Sequence, residues 1–195
     1  MDKLTYKKIK NFLTESEVNL LAEYCKLRTR FPNSTEDIIW VTDKNIPVDK
    51  AANFKFNFHK DVVMESLLLN KQKQVEDIVG EELWPTYTHW RPYFFGNDLK
   101  KHKDRPSSEI SLSVCIDKDK TKWPLFINDV PIELDKGDAV IYAGTEFKHY
   151  REKFEGDYCV NVFLHYVRKN GIYKDFKYDK RMYVGTNKTS HPGAK

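Results

Sequence analysis

Between residues 83 and 168 the chain breaks into short apolar or alternating segments separated by turn residues, and nothing else in the sequence restricts its fold as severely. The segments cover 87–95, 109–116, 123–127, 130–134, 139–142 and 158–167. Gly96-Asn97-Asp98 and Asp135-Lys136-Gly137-Asp138 carry strong turn chemistry and Asn128-Asp129 a weaker version, because Gly and Asn enter left-handed backbone at low cost and Asp bonds its own backbone. Each such strand has an apolar side to bury, which it does when the strands close on themselves or form two facing antiparallel sheets. The expected core is a small, mainly β, double-stranded barrel.

Ahead of this region the period changes from two to between three and four. After a strand-like lead over 9–13, Thr14-Glu15-Ser16-Glu17 spells a T-x-x-E capping box. Val18, Leu20, Leu21, Tyr24 and Cys25 then recur at helical steps, with Asn19 and Glu23 on the solvent side. Val62, Val63, Leu67, Leu68, Val75, Ile78 and Val79 predict a second, longer helix that stops at Gly80. Between the helices lies a loop with one strand at 38–41, bounded by Pro32, Asn33 and Pro47. After Asn170 the tail is expected to pack through Tyr173, Phe176 and Tyr183 and to end in disorder. With 40% hydrophobic residues in 195, the chain supports one domain: helical support and leading strands in 1–82, the β core in 83–168, and the tail in 169–195.

Composition narrows the function classes. Thirty-three basic against 29 acidic residues leave a net charge of +4, spread along the chain, too mild and diffuse for a nucleic-acid surface. Cys25, Cys115 and Cys159 are odd in number and far apart, which supports neither a disulfide framework nor a zinc ribbon and fits a reducing compartment. The first residues lack an apolar signal core, and no apolar run approaches the ~20 residues of a membrane span. The expectation is a soluble, cytoplasmic protein without a membrane partner; Asn33-Ser34-Thr35 and Asn187-Lys188-Thr189 are read as chance glycosylation triplets. Oligomeric state leaves no signal.

The chemistry concentrates in Lys100-Lys101-His102-Lys103-Asp104-Arg105 and Phe147-Lys148-His149-Tyr150-Arg151. On an extended strand, residues i and i+2 share a face, so His102 and Asp104 present an imidazole and a carboxylate to one point. A histidine from a distant strand, with His149 as the candidate, completes the two-His-one-carboxylate triad that holds non-haem Fe(II) with positions left open. The alternative for His102 is a solvated basic loop. His165 is read as a sheet-surface residue, and His59, His89 and His191 show no partner pattern.

In order along the chain, Asn11-Phe12-Leu13-Thr14 before a helix, Tyr93-Phe94-Phe95-Gly96, His102-Lys103-Asp104, Lys136-Gly137-Asp138-Ala139-Val140-Ile141-Tyr142, His149, and Gly156-Asp157 before a last strand resemble the Fe(II)/2-oxoglutarate-dependent dioxygenases. The resemblance covers residues 10–167 and is strongest to the prolyl 4-hydroxylase-like branch and small bacterial and phage oxygenases. It implies a double-stranded β-helix of jelly-roll or cupin-like form. It also implies Fe(II) on His102, Asp104 and His149, with 2-oxoglutarate and dioxygen as co-reactants. Succinate and carbon dioxide would be released as a substrate C–H bond is hydroxylated. By position, Tyr93 matches a family tyrosine of the 2-oxoglutarate pocket.

One departure stands out. The family places a Lys or Arg on the final strand, roughly ten residues after the second histidine, to pair with the distal carboxylate of 2-oxoglutarate; here that slot holds Tyr158 or Cys159. A buried carboxylate still needs a charged or multiply donating partner. Arg151, at i+2 from His149, is the first substitute and Arg105 a second, with Tyr93 and Tyr158 as hydroxyl donors. Arg105 has two further readings, a structural salt bridge or a residue of the substrate mouth. The kinase-like look of His102-Lys103-Asp104 fails for want of a Gly-rich loop and D-F-G. A zinc hydrolase would use similar ligands, and a barrel stripped of chemistry is the non-enzyme alternative. The expected substrate is a protein or peptidyl side chain, proline foremost, ahead of a small molecule; nucleic acid lacks its basic and aromatic strip.

Overall fold

The computed structural model describes residues 5–30 and 57–186. The strand at 38–41, the extreme tail, His191 and both glycosylation triplets lie outside the described residues. In chain order the elements are β1 (Tyr6–Ile9), α1 (Glu15–Arg30), β2 (Phe58–His59), α2 (Val62–Val79), β3 (Leu83–Tyr93), β4 (Leu99–His102), β5 (Ile110–Lys118), β6 (Leu125–Ile127), β7 (Val130–Ile132), β8 (Ala139–Ala143), β9 (His149–Arg151) and β10 (Cys159–Arg168). Turns of 3-10 helix cover Pro106–Ser108 and Lys174–Lys180.

All six expected segments are strands. They join shorter ones in a six-stranded sheet ordered β1-β8-β5-β10-β3-β2 and a four-stranded sheet ordered β4-β9-β6-β7, antiparallel throughout. Alternation sends each long strand's side chains to two different places. Trp90, Leu112, Val114, Val162 and Leu164 face the helices and pack with Leu21, Cys25, Met64, Leu68 and Val75. Tyr93, Cys115, Val140, Tyr142, Cys159 and Phe163 face the other way and meet Leu99, Leu125, Ile127 and Ile132 of the smaller sheet. Burying each large apolar side chain contributes about 1.5–3 kcal/mol, so both interfaces hold the sandwich together.

The helices start and stop where their local chemistry dictates. Thr14 N–H donates to the Glu17 carboxylate at 2.8 Å and Glu17 N–H to Thr14 Oγ1 at 3.3 Å, the reciprocal bonds of a capping box. Asp61 accepts from the first free amides of α2 at 3.0 and 3.4 Å, and Gly80 ends that helix at φ 78°.

Several expectations are corrected. The first strand is Tyr6–Ile9, and the segment after it turns sharply, burying Phe12 and Leu13. Leu20, 70% exposed, lies off the buried stripe of α1, and Val62 and Val63 point outward in the first turn of α2. Tyr183 is half-exposed; the tail is anchored by Val184 and by Arg181, which enters the interior to pair with Glu65 at 2.5 Å. Arg181 also donates to the Thr86 and Thr186 carbonyls at 2.9 Å each, and the Gly185 amide donates to Glu65, so this buried pair has the extra partners that such pairs require.

Candidate metal centre

The four-stranded sheet sets His102 directly opposite His149 across β4 and β9, which brings their rings to 4.3 Å between centroids. Two residues beyond His102, after β4 has ended, the Asp104 amide donates to the Gly144 carbonyl at 2.9 Å. Its carboxylate is thereby aimed at the histidine pair: Oδ1 lies 3.7 Å from His102 Nε2 and 3.5 Å from His149 Nε2. Among the described residues this is the one His/Cys/Asp/Glu group with metal-ligand geometry, its donor atoms all within 4.8 Å of one another.

Surrounding bonds fix the donors. His102 Nδ1 donates to the Lys100 carbonyl at 2.8 Å and His149 Nδ1 to the Phe147 carbonyl at 3.1 Å, which commits both protons and leaves each Nε2 lone pair toward the shared point. Ser111 Oγ donates to Asp104 Oδ2 at 2.7 Å, leaving Oδ1 for the histidine side. A methyl group on Gly144 would sit 2.3 Å from Asp104 Oδ2 and 2.6 Å from Ser111 Oγ, so only glycine admits the carboxylate here. Burial opposes charge on Asp104, but a proton held on His149, through its charge and hydrogen bond, and the Ser111 hydroxyl outweigh it and hold the carboxyl well below the usual range; a cation at the same point would act in the same direction. Two imidazoles and one carboxylate on one side of a point, already oriented, fit a non-haem Fe(II) ion.

Arg151 follows two positions after His149 on the same face of β9 and is buried. Its Nη1 donates to the Trp123 carbonyl at 2.6 Å and its Nη2 to Asn161 Oδ1 at 3.4 Å; its Nε has no partner among the described residues. The guanidinium lies 4.6 Å from the Trp123 ring, against whose face Tyr93 packs edge-on at 4.7 Å. Tyr93 and Arg151 therefore share one end of the space between the sheets. Tyr158 does not join them. It packs against the helix-side cluster on the far face of the sheet, and the residue of β10 that turns inward is Cys159. All three cysteines are free and buried.

Arg105 forms a two-pronged pair with Asp179 at 2.8 and 3.1 Å and sits 4.3 Å above the Tyr87 ring, while Lys60 reaches the same carboxylate at 3.2 Å. It ties the C-terminal turn to the rim beside Asp104. His165, expected on a surface, is 2% exposed and contacts Ser111 at 3.0 Å. His59 and His89 stack beside it. Alternation held the missed signal: the inward positions Tyr87, His89, Arg91 and Tyr93 on β3 and Asn161, Phe163 and His165 on β10 are all polar or aromatic, and on β10 they alternate with outward Val160, Val162 and Leu164.

No family model matches the sequence, and no curated protein matches it. Solved structures do match its fold. The viral collagen prolyl hydroxylase vCPH from Paramecium Bursaria Chlorella virus-1, solved as a 2OG complex, is 12% identical with a TM-score of 0.59, covering 83% of this chain and 94% of that one. A Pseudomonas putida prolyl-4-hydroxylase is 16% identical, TM-score 0.57, with 85% and 94% covered. The non-heme alpha ketoglutarate dependent epimerase SnoN from nogalamycin biosynthesis is 11% identical, TM-score 0.62, with 85% and 78% covered. At these identities the likeness is one of fold: the jelly-roll or cupin-like architecture found in 2-oxoglutarate-dependent oxygenases.

Proposed function

We propose that the protein is an Fe(II)- and 2-oxoglutarate-dependent dioxygenase that hydroxylates a C–H bond on a protein or peptidyl side chain, proline foremost. The observation that carries this reading is the convergence of His102, Asp104 and His149 from two chain segments, with both Nε2 lone pairs and one carboxylate oxygen directed at a single point. When bound there, Fe(II) with 2-oxoglutarate and dioxygen supplies the oxidising power, one oxygen atom going to the substrate and one to succinate.

The chain's own residues supply the rest. His102, Asp104 and His149 hold the ion, and Ser111 and Gly144 keep the carboxylate oriented. Arg151, buried with a free Nε–H, is assigned the distal carboxylate of 2-oxoglutarate, for which it offers the charge that a dry site demands. It does from β9 what related enzymes do from the last strand, where Asn161 now lies against it. Tyr93 lies at the same end, while Leu99, Leu125 and Ile127 exclude water. Arg105, paired with Asp179 on the rim beside Asp104, is assigned to the edge of the substrate mouth. Three buried free thiols favour a reducing, cytoplasmic setting.

The test is a panel of proline-containing peptides incubated with the protein, Fe(II), 2-oxoglutarate and air. The expected outcome is a mass gain of one oxygen on a peptide with matching succinate release. Turnover confined to a free small molecule would retire the peptidyl substrate, and no succinate from any candidate would retire the enzyme.

A further inference from the structure

Next to the metal centre, on the inner face of the six-stranded sheet, five rings stand nearly parallel. His59, His89 and Phe163 lie in register across β2, β3 and β10, with centroids 5.2 and 4.4 Å apart and planes within 14° and 19°. Tyr87 and His165 form the next rung, 4.5 Å apart, where a bulge in β10 shifts the register. A run of hydrogen bonds joins this ladder to Asp104: Ser111 Oγ to Asp104 at 2.7 Å, Ser111 Oγ to His165 Nδ1 at 3.0 Å, and His165 Nε2 to His89 Nδ1 at 3.4 Å.

The donor inventory fixes the direction of the bonds along the ladder. Asp104 at 2.7 Å and the Ser108 carbonyl at 3.1 Å both only accept, so the single hydroxyl proton of Ser111 is taken by them and Ser111 must in turn accept from His165 Nδ1–H. A neutral His165 then has a lone pair on Nε2, which accepts from His89 Nδ1–H. His89 is left with a bare Nε2, an acceptor on a side chain that is only partly buried. Neutrality is secured by the surroundings. Burial first, then the charges of Arg91, Arg105 and Lys60, push His59 down to about 3; burial and Arg105 push His165 down to about 4 against the opposing pull of Asp104. Burial and Arg91 place His89 well below its usual value. Arg105 and Lys60 reach the ladder already paired with Asp179, so Arg91 is the cation beside His59 and His89 that a cationic substrate group would meet first.

We propose that this ring ladder is the substrate-binding face of the lumen and takes an uncharged, flat group carrying an N–H donor, an amide above all, which lies along the edges of the rings and donates in the ring plane to His89 Nε2. Only in taking the metal centre as the reacting end does this rest on the function proposed above. A peptide segment, with flat amides and no charge at the reacting residue, meets the requirement; an amine or guanidinium side chain does not.

Three probes of one size separate the elements of the proposal: benzamide is flat, uncharged and a donor, acetophenone is flat and uncharged but lacks the donor, and benzamidine is the cationic counterpart. Histidine ring nitrogens of the full-length, metal-free protein are observed by NMR during titration with each. The expected result has Nδ1 protonated and Nε2 bare on both His165 and His89. Benzamide should shift His89 Nε2 and bind at least about tenfold more tightly than either analogue, and His89→Phe, which keeps a ring and loses the acceptor, should abolish that preference. A proton on His89 Nε2 would overturn the proposal, as would equal affinity for the three probes or no benzamide binding. Because neither iron nor 2-oxoglutarate enters the experiment, benzamide binding by a protein that never turns over would leave the subsite standing and remove the enzyme.

Discussion

The two faces of the six-stranded sheet share a backbone and almost nothing else. Toward the helices, β5 and β10 present Ile110, Leu112, Val114, Ile116, Val160, Val162 and Leu164, all fully buried and apolar. Toward the lumen the same strands present Ser111, Ser113, Asn161 and His165 among Cys115, Cys159 and Phe163, likewise buried but polar at every second or third place. Burying a polar group costs free energy unless it is bonded, so Ser111, Asn161 and His165 are held in hydrogen bonds and the inner face adds less stability than the outer one. The comparison teaches that the outer face makes the fold and the inner face is held in place by it for another purpose.

Substitutions on the two faces should therefore separate stability from binding. Leu164→Ala removes a fully buried side chain from the helix-facing core and should cost about 2–5 kcal/mol in urea unfolding while leaving metal affinity unchanged. A loss of metal binding in a variant that is still folded would break the division. Arg151→Ala, on the lumen side, should raise the 2-oxoglutarate concentration needed for turnover about ten- to a hundredfold, as expected for loss of a charge-assisted bond of about 1.5–3 kcal/mol. An unchanged requirement would show that another residue receives the cosubstrate carboxylate.

The ladder histidines predict a pH effect of defined sign. Folded His59 and His165 titrate near 3 and 4, whereas the unfolded chain takes up those protons near the ordinary value of about 6.5. Between these limits the unfolded state binds more protons, so stability falls as pH drops from about 6.5 toward 4.5, by about 1.4 kcal/mol per pH unit for each histidine. Urea midpoints that stay level over this window would mean that the ring ladder is open to water. The smallest effect is expected at Ser113, whose buried hydroxyl has no partner among the described residues. Ser113→Ala should be neutral or stabilising by up to about 1 kcal/mol, and a clear destabilisation would reveal a bond to that hydroxyl.

The sequence displayed the outer face far better than the inner one. Apolar alternation in β3, β5, β8 and β10, the Thr14–Glu17 box and the stop at Gly80 each follow from local rules, and each element formed. His102 and Asp104 were legible as a pair because i and i+2 share a face, although Asp104 reaches the centre from a loop held by Gly144. Strands β4 and β9, four and three residues long, fell below any pattern that periodicity can register. Tyr158 was placed in the cosubstrate pocket although the alternation of β10 turns Cys159, Asn161, Phe163 and His165 inward and Tyr158 out. The histidine ladder escaped notice because its members come from three strands and meet only through register. Leu20 and Tyr183 show the converse limit, since an apolar residue at a plausible spacing need not be buried.

The most direct test of the account is the absorption spectrum of the protein mixed anaerobically with Fe(II) and 2-oxoglutarate. The account predicts a weak visible charge-transfer band that appears only when both are present and is absent in Asp104→Ala, a variant that should fold with wild-type secondary structure. No band from the wild-type protein, with a melting temperature unmoved by Fe(II) and 2-oxoglutarate, would contradict it and leave a barrel of this fold without the chemistry.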